Sequence, residues 1–140
     1  MSGPDFLDTN ILVYAYDATD PGKQAIARNL VRAALAGGAV ISAQVLAEFA
    51  ATLLHKVTPR VDPGQILEAL DALAAIAAVS SDPGLVRRAV EARVEYGLHF
   101  YDSMIVAAAE RAGSGIIWSE DLNAGQAYFG ATVRNPFTPE

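Results

Sequence analysis

The sequence predicts an α/β domain: a mainly parallel central sheet of four or five strands flanked by helices. Two observations carry this. Short apolar, β-branched runs alternate with longer segments whose apolar residues recur at helical spacing, the pattern of strands joined by crossover helices. Asp-Pro-Gly and Gly-Gly punctuation falls between the runs, with no linker, low-complexity stretch or charge block to divide the chain. Residues 1–140 are therefore expected to form one domain, long enough to bury a real core.

Taken in order, PDFLD reads as a first strand and ILVYAY as the start of a helix. PGKQAIARNLVRAALAGG is a helix with Pro21 at its first turn and Gly37-Gly38 stopping it. GAVISA is a strand and QVLAEFAATLLHK the helix after it. DPGQILEALDALAAIAAV has Ile66, Leu67, Leu70, Leu73, Ala74 and Ala77 at helical spacing, with Asp62 as N-cap. DPGLVRRAVEARVEYG opens with the same Asp-Pro-Gly cap and closes at Gly97; the shared opening is capping chemistry and not a repeat. YDSMIVAAAERAG is a further helix closed by Gly113, while GIIWS and ATVRN complete the sheet.

Composition narrows the chemistry. There is no cysteine, which removes disulfides, thiolate metal sites and cysteine nucleophiles. The first residues carry Asp5 and Asp8 where a signal peptide needs a basic start and an apolar stretch. The greasiest window is broken by Gly37-Gly38, Gln44 and Glu48, so no membrane span is expected and the cytoplasm is the expected location. The apolar fraction of 52% suits a buried sheet, a subunit interface, or both. A net charge of −6 argues against a nonspecific nucleic-acid coat. It does not argue against a nuclease, because acids gathered around divalent cations are neutralised in the working site.

Ligands of parallel sheets collect at the carboxyl ends of strands, and there the polar residues are acids. Asp8 follows the first strand, where capping the next helix is the plain alternative; Asn10 could cap in its place. Glu48 stands in the helix after GAVISA, on a face with Gln44, Ala51, Thr52 and His55. Asp102 lies above the apolar stripe Ile105, Val106 and Ala109, where a carboxylate costs solvation unless capped, paired or metal-bound. Asp121 follows GIIWS in SEDLN, with Glu120 beside it as a competing candidate. Singly each acid has a structural explanation. Together, three at or just beyond strand ends and the fourth about one turn into a helix, they are expected to project to one edge. Four carboxylates repel unless cations join them, and an all-oxygen set points to Mg²⁺, with Mn²⁺ as a substitute.

In this order and spacing FLDTNILVYAYD, QVLAEFAATLL, HFYDSMIVAAAE and IIWSEDLNAGQ resemble the PIN-domain ribonucleases, and within them the VapC toxins of bacterial toxin–antitoxin pairs. The resemblance spans nearly the whole chain. It implies a PIN fold and an Mg²⁺-dependent endoribonuclease that cleaves RNA phosphodiester bonds with metal-activated water. It places the four acidic positions on Asp8, Glu48, Asp102 and Asp121, and a supporting hydroxyl on Ser119, with Asn10 and Ser103 as further helpers. It also implies a cognate antitoxin, a small DNA-binding protein with an inhibitory C-terminal segment, and a toxin homodimer.

Other readings are weaker. His55 and His99 have no second histidine at metal spacing, and Trp118 and Tyr128 are expected to pack rather than stack on bases. Arg87, Arg88, Arg93 and Arg111 could meet RNA phosphates or an acidic antitoxin, although a solvated helix face is simpler. A dehalogenase-like phosphatase needs a second acid where Asn10 stands, and a phospho-receiver needs a late lysine, whereas the only lysines are Lys23 and Lys56. The alternatives that remain are a catalytically silent PIN-fold binding module and another Mg²⁺-dependent phosphohydrolase.

Overall fold

The computed structural model describes residues 3–57 and 60–138. Its elements run β1 (Asp5–Leu7), α1 (Thr9–Tyr16), α2 (Pro21–Leu35), β2 (Ala39–Ser42), α3 (Ala43–His55), α4 (Pro63–Leu73), β3 (Ala78–Val79), α5 (Pro83–Tyr96), α6 (Phe100–Arg111), β4 (Ile116–Trp118), β5 (Ala127–Tyr128) and β6 (Ala131–Arg134). The sheet order is β3-β2-β1-β4-β6-β5, with all neighbours parallel except the β5–β6 pair. β1 lies beside β2 and β4, with Phe6 level with Val40 and Ile117. Phe6, Leu7, Ile41, Ile117, Ala131 and Val133 are buried, so the sheet lies within the core and helices cover it.

Among the described residues the sheet has six strands where four or five are expected, and two of them, β3 and β5, are only two residues long. β3 also corrects the reading of the fourth helix. The helix ends at Leu73 instead of running on through the Ala-rich segment, because Ala78-Val79 pairs with the edge of β2 opposite Ile41 and Ser42. The Ile41 N–H donates to the Ala77 carbonyl at 3.1 Å, and Ile76 turns into the core. Sheet pairing outweighs alanine's helix propensity here.

Two helix boundaries position the site. Asp82 caps α5 through the Leu85 N–H, and Gly97 ends that helix in the left-handed region at φ +69°. Glycine takes that conformation without a Cβ penalty. The chain then turns so that α6 starts at Phe100, packed antiparallel on α5. Arg88 holds the pair together with a bidentate contact to Glu110 at 2.7 and 2.8 Å, and its guanidinium sits over the Phe129 ring. Arg111 pairs with Asp82 at 2.8 Å, and Arg93 donates to the Leu98 carbonyl. Three of the four arginines considered for RNA contact are thus occupied within the fold. His99 caps α6 by accepting from the Tyr101 N–H, and Tyr128 is buried against Tyr96. No helix among the described residues is long and apolar enough to cross a membrane.

Candidate functional site

The carboxyl edge of the sheet opens into a cleft of about 640 Å³, and all four acids line it: Asp8, Glu48, Asp102 and Asp121. β1 and β4 are adjacent, so the residues following them, Asp8 and Ser119, come side by side. Backbone pairing extends the match: the Asp8 N–H donates to the Trp118 carbonyl and the Ser119 N–H to the Arg134 carbonyl, each at 3.0 Å. Glu48 enters from α3, whose start follows directly from β2. Asp102 arrives differently from what the sequence suggests. It follows no strand; it stands in the first turn of α6, brought in by the α5–α6 turn.

Asp8 caps α1 and also lines the cleft. Its Oδ1 accepts from the Thr9 N–H at 2.7 Å, the capping role, while Oδ2 accepts from the Ser119 hydroxyl at 2.7 Å. The side chain is buried, at 5% exposure. Burial pushes its pKa up to about 6; the bonds from Ser119 and Thr9 oppose this, and the charges of Asp121 and Glu48 add to it. Burial also raises Asp102, with His99 opposing and Asp121 contributing.

Small polar groups tie the acids together. Asn10 donates from Nδ2 to Asp8 Oδ2 at 3.4 Å and to Asp121 Oδ2 at 3.2 Å, while its Oδ1 accepts from the Glu120 N–H at 3.1 Å. An aspartate at position 10 could make none of the donations, and would add another charge. Ser119 Oγ, fully buried, accepts from the N–H groups of Asp121 and Leu122, each at 3.1 Å. Glu48 Oε1 accepts from the Thr9 hydroxyl at 2.9 Å and from Gln44 Nε2 at 3.2 Å. The sequence reading misses Thr9 as a partner of Glu48; a hydroxyl directly after the first acid was its only signal. Ser103, by contrast, donates to the His99 carbonyl at 3.2 Å and touches none of the acids through a hydrogen bond.

The neighbouring acids of SEDLN separate cleanly. Glu120 turns away to Tyr14 and Lys23, whose Nζ lies 2.5 Å from Oε2. Desolvation alone would raise the Glu120 pKa, but the bonds from Lys23 and Tyr14 bring it below the usual carboxylate range. Both acids line the cleft, but Asp121 instead bonds to Asn10, which also donates to Asp8.

None of the four acids is paired with Lys or Arg among the described residues. Their negative charge is unbalanced, their donors are all hard oxygens, and a divalent cation fits that set. No three acidic or histidine side chains among the described residues form a ready cage around one point. Mg²⁺ does not require one, since it commonly takes one or two carboxylates and keeps several waters.

A family model for the PIN domain matches residues 6–130. The chain belongs to the PIN-domain family. Its PIN fold is shared with solved structures at low sequence identity. A toxin–antitoxin complex from Klebsiella pneumoniae is 19% identical, with 95% of this chain and 98% of that chain covered at a TM-score of 0.69. VapC20 of Mycobacterium tuberculosis, a toxin that cleaves the sarcin-ricin loop, is 19% identical over 84% and 89% of the two chains, with a TM-score of 0.62. VapBC2 of Rickettsia felis bound to a promoter DNA fragment is 19% identical over 94% and 97%, with a TM-score of 0.64. At these identities the likeness establishes the fold. Comparison with curated protein sequences returns no match.

The raised Asp8 pKa makes stability depend on pH. The folded state holds the Asp8 proton more tightly than the unfolded chain, so this group favours folding when protonated. That contribution is lost as pH rises from about 4 to about 6, and amounts to about 3 kcal/mol. Urea unfolding of metal-free protein at pH 5 and pH 7, compared with Asp8→Asn, checks this: the wild type loses stability relative to the variant over that interval.

Proposed function

We propose that this PIN domain is a divalent-metal-dependent endoribonuclease, the toxin of a type II toxin–antitoxin pair. The observation that carries the reading is the cleft itself: four carboxylates without cationic partners among the described residues, on the carboxyl edge of the sheet, in a chain of this family. Asp8 and Asp102 would be the principal holders of Mg²⁺ or Mn²⁺, joined by Glu48 and Asp121. A bound divalent ion supplies Lewis acidity and a water of lowered pKa, which hydrolysis of a phosphodiester needs.

The chain's own residues prepare that site. Ser119 and the Thr9 N–H keep Asp8 oriented and partly offset the cost of its charge. Asn10 holds Asp8 and Asp121 together through one amide group. Thr9 and Gln44 fix one oxygen of Glu48, leaving the other with no hydrogen bond from the described residues.

Toxin–antitoxin assemblies among the similar folds support an antitoxin partner. A homodimer is supported by the exposed Val86, Val90 and Val94, which recur every fourth residue along α5.

Purified protein incubated with structured RNAs is expected to cleave them with Mg²⁺ or Mn²⁺ and to stop when EDTA removes the metal, with activity returning when the ion is restored. Cleavage indifferent to EDTA would overturn the proposal, and so would RNA left intact in both metals.

A further inference from the structure

Asp121 is exposed, and among the described residues its side chain receives a single hydrogen bond, from Asn10. Its direction therefore depends on the backbone of residues 119–121. That backbone is held at three points. Ser119 is fixed to Asp8, the Glu120 N–H is fixed to Asn10, and the Glu120 side chain is gripped by α1 and α2. The grip is a closed triangle. Tyr14 donates its hydroxyl to Glu120 Oε1 at 2.6 Å, while Lys23 Nζ contacts Oε2 at 2.5 Å and the Tyr14 oxygen at 3.2 Å. Phe137 closes it from outside, edge-on to the Tyr14 ring at 4.9 Å and with Lys23 Nζ 5.4 Å from its own ring centre.

We propose that Lys23, Tyr14 and Glu120 are positioning residues of the metal site: they hold the segment that aims Asp121 into the cleft, and they keep Glu120 itself out of the acid cluster. The inference rests on the metal-dependent nuclease reading. Both carboxylate oxygens of Glu120 are engaged and its charge is matched by Lys23. Without Lys23, a free carboxylate beside Asp121 would repel the other acids or compete for the cation, and the segment would lose its anchor to α2. Residues that orient metal-binding side chains in this way commonly change affinity or rate by about 10–100-fold when removed.

The test is a double-mutant cycle of Lys23→Met and Glu120→Gln, with Lys23→Arg and Tyr14→Phe alongside. Mg²⁺ and Mn²⁺ binding is followed by metal-induced thermal shift, and RNA cleavage by kcat and KM. Each of the two principal single changes is expected to raise the half-saturating Mg²⁺ concentration about tenfold and lower kcat, with KM for RNA within twofold of wild type. The double variant is expected to be no worse than the poorer single one, because both break the same contact. Lys23→Arg should restore most of the metal affinity, and Tyr14→Phe should show a smaller loss in the same direction.

Unchanged metal affinity in both single variants would overturn the proposal. Fully additive losses would do so as well. A rise in KM alone, with a shallower salt dependence of RNA binding, would show that Lys23 instead meets an RNA phosphate. If the wild type binds metal but cuts no RNA, the nuclease reading fails while the metal titration still decides the clamp. A wild type that binds neither metal overturns both.

Discussion

Asp8→Asn is expected to reduce RNA cleavage by at least about a thousandfold while leaving the metal-free protein as stable as the wild type or more so. The two effects share one cause. Asp8 is buried with no cationic side chain beside it among the described residues, and burial together with the charges of Asp121 and Glu48 raises its pKa to about 6. Holding it ionised at pH 7.5 costs about 3 kcal/mol relative to the unfolded chain. Asparagine removes that cost and keeps the cap on α1, since Asn is as good an N-cap as Asp. It also sacrifices something. Every partner of the Asp8 carboxylate is a donor: the Thr9 N–H, the Ser119 hydroxyl and Asn10 Nδ2. The amide NH₂ must face one of them, losing about 1–2 kcal/mol. A net gain of about 1–2 kcal/mol follows, read by urea unfolding in EDTA, with initial cleavage rates in Mg²⁺ measured on the same preparation. Saturating Mg²⁺ should stabilise the wild type and leave the variant nearly unmoved. If the variant is instead several kcal/mol less stable and still cleaves RNA, Asp8 is a structural cap and nothing more.

That opposition between stability and function explains why Asp8 was ambiguous in sequence. At the end of a strand and the start of a helix, a cap and a ligand use the same residue type, and here one carboxylate oxygen accepts from the Thr9 N–H at the start of α1 while the other accepts from the Ser119 hydroxyl. The longer elements were legible because each carries its own signal. Pro21 and Asp20 open α2, Asp82 and Gly97 bound α5, and β-branched runs mark β2 and β6. Strands β3 and β5 were not legible, because two residues cannot display an alternation and their existence depends on a neighbouring edge. The overlong reading of α4 is the same failure, since Ala74–Ala77 contains no breaker and only pairing to β2 ends the helix.

The site shows the same division. The four acids and Ser119 were readable from their places after strands or within motifs. What their neighbours do was not, because those contacts join residues far apart in sequence. Glu120 and Asp121 are indistinguishable as letters, and it is Tyr14 and Lys23, the latter 97 positions from Glu120, that engage the first and leave the second to Asn10. Arg88 and Arg111 looked like a solvated basic face, yet Glu110 and Asp82 lie opposite them once α5 and α6 pack together.

Ser119→Ala is expected to cost about 2–3 kcal/mol of stability and to raise the Mg²⁺ requirement for cleavage about 10–100-fold, a large effect for the removal of one oxygen. The hydroxyl is fully buried and uses its full bonding capacity. It donates to Asp8 Oδ2 at 2.7 Å and accepts from the Asp121 and Leu122 N–H groups at 3.1 Å each. Alanine leaves the Leu122 N–H unsatisfied beside a buried side chain, whereas the more exposed Asp121 N–H can turn to water. It also strips Asp8 of a short donor that opposes the effect of burial, so the Asp8 proton is held more tightly and the cation competes for the site less well. Partial recovery of the rate at high Mg²⁺ therefore separates this variant from Asp8→Asn, in which the proposed ligand itself is gone. Thermal melts in EDTA isolate the stability loss, and Mg²⁺ titrations of the initial rate isolate the effect on the site. A Ser119→Ala protein with wild-type Mg²⁺ dependence would mean that Ser119 supports the β4 turn without orienting Asp8, and that the carboxylate holds its direction from the Thr9 N–H and Asn10 alone.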